Sequence, residues 1–383
     1  MSPTLWPPHT WSRPSWASDA LRLPGTTSEF IAADLPVRAA NYAVGMAVGE
    51  RAGAPALADP AAAAKRAATR VERVSAGLEE LDRWLSDQVR GGLAGFERTG
   101  YYHVDHMAAR MVDAQAPGVA SLLRSIPADL TGVGWPERVL SQLASLHLLI
   151  QAHRRLDLLP PDLAATVRSR IGYPVSKNQV LASPGISDRW LALGMVDTVE
   201  FRLETRRVWL YGSATSRWAL WLNFAPPGGH LDTTVLPGQA LVSRMHFYPG
   251  SGQYRGLIGE HDDVGHDRFG LEDNVETESL AEVQHRFAEL LAADPWATRM
   301  PAVVEAAPIR GHARGGSWLL RDSSGSACRL LERYGEPWPL LARSGGSPLR
   351  IFGEWNGQQF RPLSLLADHH GLPFSTSVLG RAA

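Results

Sequence analysis

The amino-acid sequence predicts an α+β fold: an N-terminal helical array, then a Trp-rich antiparallel β module, then a C-terminal α+β portion. Three observations carry this expectation. Before residue 172 apolar residues recur at helical spacing, as in Val71, Val74, Leu78, Leu81 and Leu85. After about residue 185 the pattern turns to alternation in TVEFRLETRRVWLYG, SRWALWLNFA and QALVSRMHFYPG, which are rich in the residues that strands favour. Helices precede strands, with one further helix among the later strands, so the order is not that of βαβ units. Four regions follow: an irregular N-terminal arm at 1–55, a helical domain at 56–172, a β-rich domain at 173–260 and a C-terminal α+β region at 261–383.

The arm, MSPTLWPPHTWSRPSW, mixes prolines with Trp6, Trp11 and Trp16 and lacks the apolar run of a secretory signal. A short apolar helical segment, PVRAANYAVGMAV, and a Gly/Ala/Pro linker come next. Asp59 is suited to cap a helix and Pro60 to its first turn. The long helix that starts there carries the apolar seam, flanked by Arg70, Glu72, Arg73, Glu79, Glu80, Asp82 and Arg83, and weakens at Gly91-Gly92. Further helices are expected at about 102–115, ending at Pro117-Gly118, from Trp135-Pro136 to Pro160-Pro161, and over DLAATVRSRIG up to Gly172. Later, TESLAEVQHRFAELLAAD predicts a helix over about 276–293, CRLLERYG predicts one starting at Cys328, and Asn356-Gly357 predicts a hairpin.

Composition bounds the function. The chain has 383 residues, 44% of them hydrophobic, enough for a large core and more than one domain. Lys plus Arg number 38 and Asp plus Glu 39, so no global charge draws the chain to nucleic acid or anionic membrane. A single cysteine, Cys328, excludes an intrachain disulfide and a Cys-rich zinc knuckle. No stretch approaches the ~18 apolar residues of a membrane span. A nearly thiol-free chain of this kind is expected in the cytoplasm.

No catalytic, cofactor-binding or metal-ligating residue is assigned. His103, His106, Arg110 and Asp113 are spaced three, four and three apart and share one face of a helix. A metal would need three ligands, yet Arg110 stands among them, where it repels a cation and is placed to pair with Asp113. The favoured reading is a polar packing seam. The loop at 260–274 gathers Glu260, Asp262, Asp263 and Asp267, without the spacing of a calcium loop. A solvated loop is the plain reading and an acidic contact surface the functional one. Asp368-His369-His370 has no G-x-S-x-G elbow to serve. No phosphate-binding glycine loop occurs. Trp209, Trp218 and Trp221 have few basic neighbours beyond Arg206, Arg207 and Arg217, so sheet packing explains them better than base stacking.

Several stretches, RVERVSAGLEELDRWLSDQVRGGL at 70–93, ARMVDAQAPGVA at 109–120, GWPERVLSQLASLHLLIQAHRRLDLLPPDLAATVRSRIGYPVS at 134–176 and others up to LDTTVLPGQALVSRMHFYPG at 231–250, resemble the bacterial SWIM zinc-finger family in its actinobacterial form. The family takes its name from a C-x-C…C-x-H zinc site ahead of this region. By the register of FIAADLPVRAANYAVGMA at 30–47, Ala40 and Tyr42 stand where the last Cys and His belong, and neither binds zinc. The resemblance implies an accessory protein that works with a MoxR-type AAA ATPase and a von Willebrand A-like partner. The leading expectation is therefore a non-enzymatic interaction protein, binding through the first long helix or the acidic loop. The alternatives are a nucleic-acid-binding protein derived from a finger-bearing ancestor and a metal-dependent hydrolase using His103, His106 and the acidic loop.

Overall fold

The computed structural model describes residues 60–93, 96–130, 134–200, 203–226, 229–261, 275–311, 317–331 and 337–366. The N-terminal arm, the segment at 36–48, the finger-like stretch at 30–47 and Asp368-His369-His370 lie outside the described residues. The fold is mixed α+β, as expected.

The helical part contains α1 (Pro60–Gly91), α2 (Phe96–Asp113), α3 (Pro117–Ser125), α4 (Trp135–Arg154), α5 (Pro161–Ile171) and the short α6 (Lys177–Leu181). The α1 seam is real from Val74 onward: Val74, Leu78, Leu81 and Leu85 are buried, whereas Val71 is 46% exposed. Gly77 lets α2 come close, since a Cβ there would lie 2.4 Å from that of Ala114. Pro117-Gly118 opens a helix where the sequence predicted only a stop. The chain turns at Gln115, whose φ is 61°, and Pro117 then occupies the first turn of α3. Gly118 lies against α5, where a Cβ would be 2.2 Å from the Arg170 carbonyl oxygen. A side chain at 118 would push the two helices apart.

The first β unit has β1 (Ile186–Glu200), β2 (Leu203–Gly212), β3 (Trp218–Ala225), β4 (Ala240–Phe247) and β5 (Arg255–His261). They close into a barrel in the order β1-β2-β3-β5-β4. The 15-residue β1 serves both neighbours, pairing through Ile186–Leu191 with β4 and through Trp190–Glu200 with β2. Its register shifts between Ala192 and Gly194, the kind of bulge that bends a strand around a barrel. Closure is completed by parallel pairing of β3 with β5 at Leu220–Arg255 and Trp221–Gly256, so the module is not wholly antiparallel. Trp190, Val208, Leu210, Ala219, Leu241 and Met245 fill its interior.

The second unit begins with α7 (Leu280–Ala293) and continues through β6 (Met300–Arg310), β7 (Trp318–Asp322), β8 (Ala327–Leu330), α8 (Trp338–Ser344), β9 (Leu349–Trp355) and β10 (Gln359–Leu365). Ser279 and Glu282 form a reciprocal capping box at the start of α7. Asp322, at the end of β7, accepts from the Leu280 amide at 3.0 Å. Val283 and Phe287 of α7 pack against Met300, Val304, Leu320 and Phe360 in the core. Cys328 does not start a helix: it lies in β8 opposite Leu320, buried in this core. Alternation of Cys328 and Leu330 inward with Ala327 and Arg329 outward fits a strand once β7 is alongside. The Asn356-Gly357 hairpin forms as expected, with Gly357 at φ 93° and the Asn356 side chain accepting from the Gln358 and Gln359 amides.

The strand order of this second unit, β6-β7-β8-β10-β9, repeats that of the first, again with its third and fifth strands parallel. The order 1-2-3-5-4 in a closed five-stranded Greek-key barrel is that of the OB-fold. The chain thus carries two OB-type barrels in tandem behind a helical bundle.

The barrels pack face to face. Leu191, Leu193, Trp209 and Tyr211 of the first meet Val303, Phe352 and Leu363 of the second in one buried cluster. Trp218 stacks on Phe352, with centroids 5.5 Å apart and planes 19° apart. Gly194 is what permits this approach, because a Cβ there would lie 2.5 Å from Phe352 Cε1. Replacing Gly194 by Val is therefore expected to lower unfolding stability by about 1–3 kcal/mol, the usual effect of overpacking. Urea titration followed by Trp fluorescence measures this; an unchanged midpoint would contradict the tight interface.

Candidate functional site

The residues singled out from sequence fall in three places. His103, His106, Arg110 and Asp113 are all on the exposed face of α2, whose buried stripe is Val104, Met107, Ala108 and Met111. Arg110 pairs across to Glu80 of α1 at 2.6 Å rather than with Asp113. The helix thus turns its apolar stripe to the bundle and leaves both imidazoles in solvent. Glu260 lies in β5. Asp262, Asp263 and Asp267 lie outside the described residues. Among the described residues no group of three or more His, Cys, Asp or Glu side chains could hold a metal ion. Cys328 sits in an apolar core that pushes its thiol up to about 12, with Asp322 adding to the rise. It is a protonated core residue at neutral pH.

One polar constellation that spacing did not single out lies in the bundle. A cleft of about 450 Å³ between α1, the end of α4 and α5 is lined by Ser75, Glu79, His153, Asp157, Arg168 and Tyr173, among others. His153 and Tyr173 are hydrogen-bonded at 3.1 Å between Nε2 and the phenolic oxygen, with their rings stacked. Burial lowers the basicity of His153, and the Arg168 guanidinium lowers it further. Burial raises the Tyr173 hydroxyl, and Arg168 and Arg70 oppose that rise. The signal for a buried His153 was present in the sequence: Leu146, Leu149, Ile150 and His153 continue one apolar stripe of α4. Tyr173 carries no such pattern, because it reaches the cleft only through the turn at Gly172, where φ is 106°.

The barrels offer two contrasting surfaces. OB-type barrels commonly bind ligands on the outer face of their second and third strands and through the loops beside it. In the first barrel that face is consumed. Trp209 donates its indole N–H to Glu354 of β9 at 2.9 Å, and Trp218 lies on Phe352. The loop between β4 and β5 is consumed as well. The Ser251 amide donates to Thr166 Oγ1 of α5 at 2.8 Å, and Gly252 abuts Leu290 of α7. In the second barrel the corresponding strands, β7 and β8, turn Arg321, Ala327 and Arg329 outward into solvent. Beside them, Trp318 and Trp338 form an edge-to-face pair 5.6 Å apart, with the Arg310 guanidinium 5.5 Å from the Trp318 ring.

His153 supplies a pH test of the bundle. Its folded form is less basic than the ordinary histidine value of 6.5. The unfolded chain therefore takes up a proton first as pH falls. The stability contributed by neutral His153 is complete above about pH 6.5 and is lost as pH falls through the lower folded value. Stability of the native chain is expected to decline over that acid limb, and His153→Gln should flatten it. Urea midpoints between about pH 5 and 8 measure the difference; identical slopes for the two proteins would refute the assignment.

No helix among the described residues is long and apolar enough to cross a membrane. No curated protein and no solved structure matches the chain. Residues 69–171, which span most of α1 and all of α2 to α5, match the family described as the SWIM-associated four-helix bundle domain, so this part of the chain is related to SWIM-family proteins.

Proposed function

We propose that the chain is a non-enzymatic accessory protein whose bundle presents a basic surface to an acidic protein partner. The observation that carries this reading is the N-terminal half of α1. Among the described residues its first fully buried apolar residue is Val74, and the described side chains of the preceding turns are exposed or half-buried. They carry Lys65, Arg66, Arg70 and Arg73, and the three arginines, four and three residues apart, share a face. Like charges at that spacing cost a helix a few tenths of a kcal/mol each, roughly 0.2–0.5 per pair. Among the described residues none of the four is in an ion pair; Arg70 bonds only to the neutral Gln115 side chain, at 2.9 Å. Arg168 extends the same charge across the His153–Tyr173 cleft.

A helical overhang whose arginine face makes no ion pair among the described residues is stabilised by an acidic partner surface. The family resemblance suggests what that partner is: a MoxR-type AAA ATPase or a von Willebrand A-like protein. Affinity capture with the full chain from its native cell, followed by identification of the retained proteins, tests this. Wild-type protein should retain one of those two classes, and the triple variant R66E/R70E/R73E should lose it while keeping the same thermal midpoint. Retention that the variant leaves unchanged, or capture of neither class, would defeat the proposal.

A further inference from the structure

We infer that the cleft between α1, the end of α4 and α5 binds a free amino acid with a bulky apolar side chain, its carboxylate held by Arg168 and its ammonium group by Glu79 and Asp157. The site needs no protein partner and stands apart from the reading of the α1 arginines. Its floor comes from the bundle itself. The cleft encloses about 450 Å³, within the range of about 300–1,000 Å³ typical of small-molecule sites. Glu79 and Leu78 reach it from α1, Ile150 and His153 from α4, and Asp157 from the turn that follows α4. Leu78 and Ile150 are 2% and 1% exposed, and Leu156 is half-buried against the same core. The bottom of the cleft is therefore apolar, and the stacked His153–Tyr173 pair forms one wall.

The rim carries charge of both signs without pairing it. Arg168, Glu79 and Asp157 line the cleft and are exposed, and among the described residues none of the three makes an ion pair. Arg154, the other cation of the lining, is taken by Asp82 of α1 at 3.0 Å. The Arg168 charge is felt by both rings of the wall: it lowers the basicity of His153 and opposes the rise at Tyr173. The guanidinium therefore stands over the cleft and is not turned away from it.

Sign and polarity decide the ligand class. A simple anion would meet Arg168 but also two carboxylates. A simple cation would meet those carboxylates but also Arg168, with Arg70 close enough to act on Tyr173. An acidic protein surface would bring further carboxylates against Glu79 and Asp157, so it does not fill this cleft. Opposite charges that line one cleft and stay apart suit a molecule carrying both. An α-amino acid holds its two charged groups at one end and its side chain at the other, which matches a charged rim over an apolar floor. A polar side chain would lose its water against Leu78 and Ile150 without a hydrogen bond in return. A side chain as small as that of glycine would leave the floor without contacts.

The test is isothermal titration calorimetry of the full purified chain with L-phenylalanine, with no partner present. Hydrocinnamate, which lacks the ammonium group, phenethylamine, which lacks the carboxylate, and glycine, which lacks the side chain, are the comparison probes. Phenylalanine should bind at least about tenfold more tightly than any of the three, the usual worth of one hydrogen bond to a charged group. R168Q should weaken phenylalanine about tenfold and leave phenethylamine no weaker. E79Q/D157N should weaken phenylalanine by a similar factor and leave hydrocinnamate no weaker. All three side chains are exposed, so the unliganded variants should keep the wild-type thermal midpoint. A lowered midpoint would show these charges holding the fold together and would count against the site. No heat at about 10 mM phenylalanine, where a millimolar site is about nine-tenths filled, equal binding of any comparison probe, or full affinity in either variant would each overturn the inference.

Discussion

The arrangement of the β half turns on one buried carboxylate. Glu354, on β9, is 5% exposed and lies where the two barrels meet. Burial alone would raise its pKa, but Arg207, Arg299, the Trp209 indole N–H and Arg361 outweigh it and hold the carboxyl below the usual carboxylate range. Arg207 comes from β2 of the first barrel at 3.5 Å; Arg299 and Arg361 belong to the second at 3.7 and 3.8 Å. A buried ion group of this kind adds little net stability over a well-packed apolar one, yet removing a single member leaves an uncompensated charge, at a cost of about 3–5 kcal/mol. Its stronger effect is on geometry. The observed rotation of the barrels brings the Trp209 N–H and the arginines to the same carboxylate while Trp218 lies on Phe352.

That rotation has a consequence for surface. It commits the aromatic face of the first barrel to the interior and leaves β7 and β8 of the second barrel turned away from the contact. The bundle is fixed to the same assembly around the end of α7. Asp294 there opposes the helix dipole, and Arg170 of α5 pairs with it at 2.5 Å. Trp296 follows two residues later, donating its indole N–H to the Ser145 carbonyl of α4 at 3.1 Å. The loop between β4 and β5 reaches α5 through Ser251 and Thr166. Bundle, first barrel and second barrel therefore converge near Asp294, and among the described residues the N-terminal half of α1 lies outside the contacts that hold them together.

Local chemistry was legible in the sequence where one element supplied both halves of the signal. The apolar seam of α1 and the Asn356-Gly357 turn each place their partners within four residues. Errors arose where the deciding partner was distant. Pro117-Gly118 looked like a stop because the residue that requires glycine at 118, Arg170 of α5, is 52 positions away in the chain. CRLLERYG looked helical because its strand partner is the Leu319–Arg321 segment. The seam assigned to His103, His106, Arg110 and Asp113 assumed that a shared face meets a neighbouring helix; the narrower stripe of Val104, Met107, Ala108 and Met111 took that place instead. Neither barrel announces itself, since each is closed by a parallel pairing only two residues long.

The two barrels also show why an aromatic count is a poor guide to function. Trp209 and Trp218 occupy the strands where base-stacking residues would be expected. Burial removes both from that role. The first pair is fixed by Glu354 and Phe352, so its π faces are spent on holding one barrel to the next. Trp338 lies on a short helix, 20 residues beyond Trp318, and joins Arg310 and Trp318 only when β6, β7 and α8 close the rim. An OB-type topology by itself specifies no ligand. What separates the two faces is whether the cations beside the rings have carboxylate partners: those around Trp209 share Glu354, and among the described residues those beside Trp318 do not.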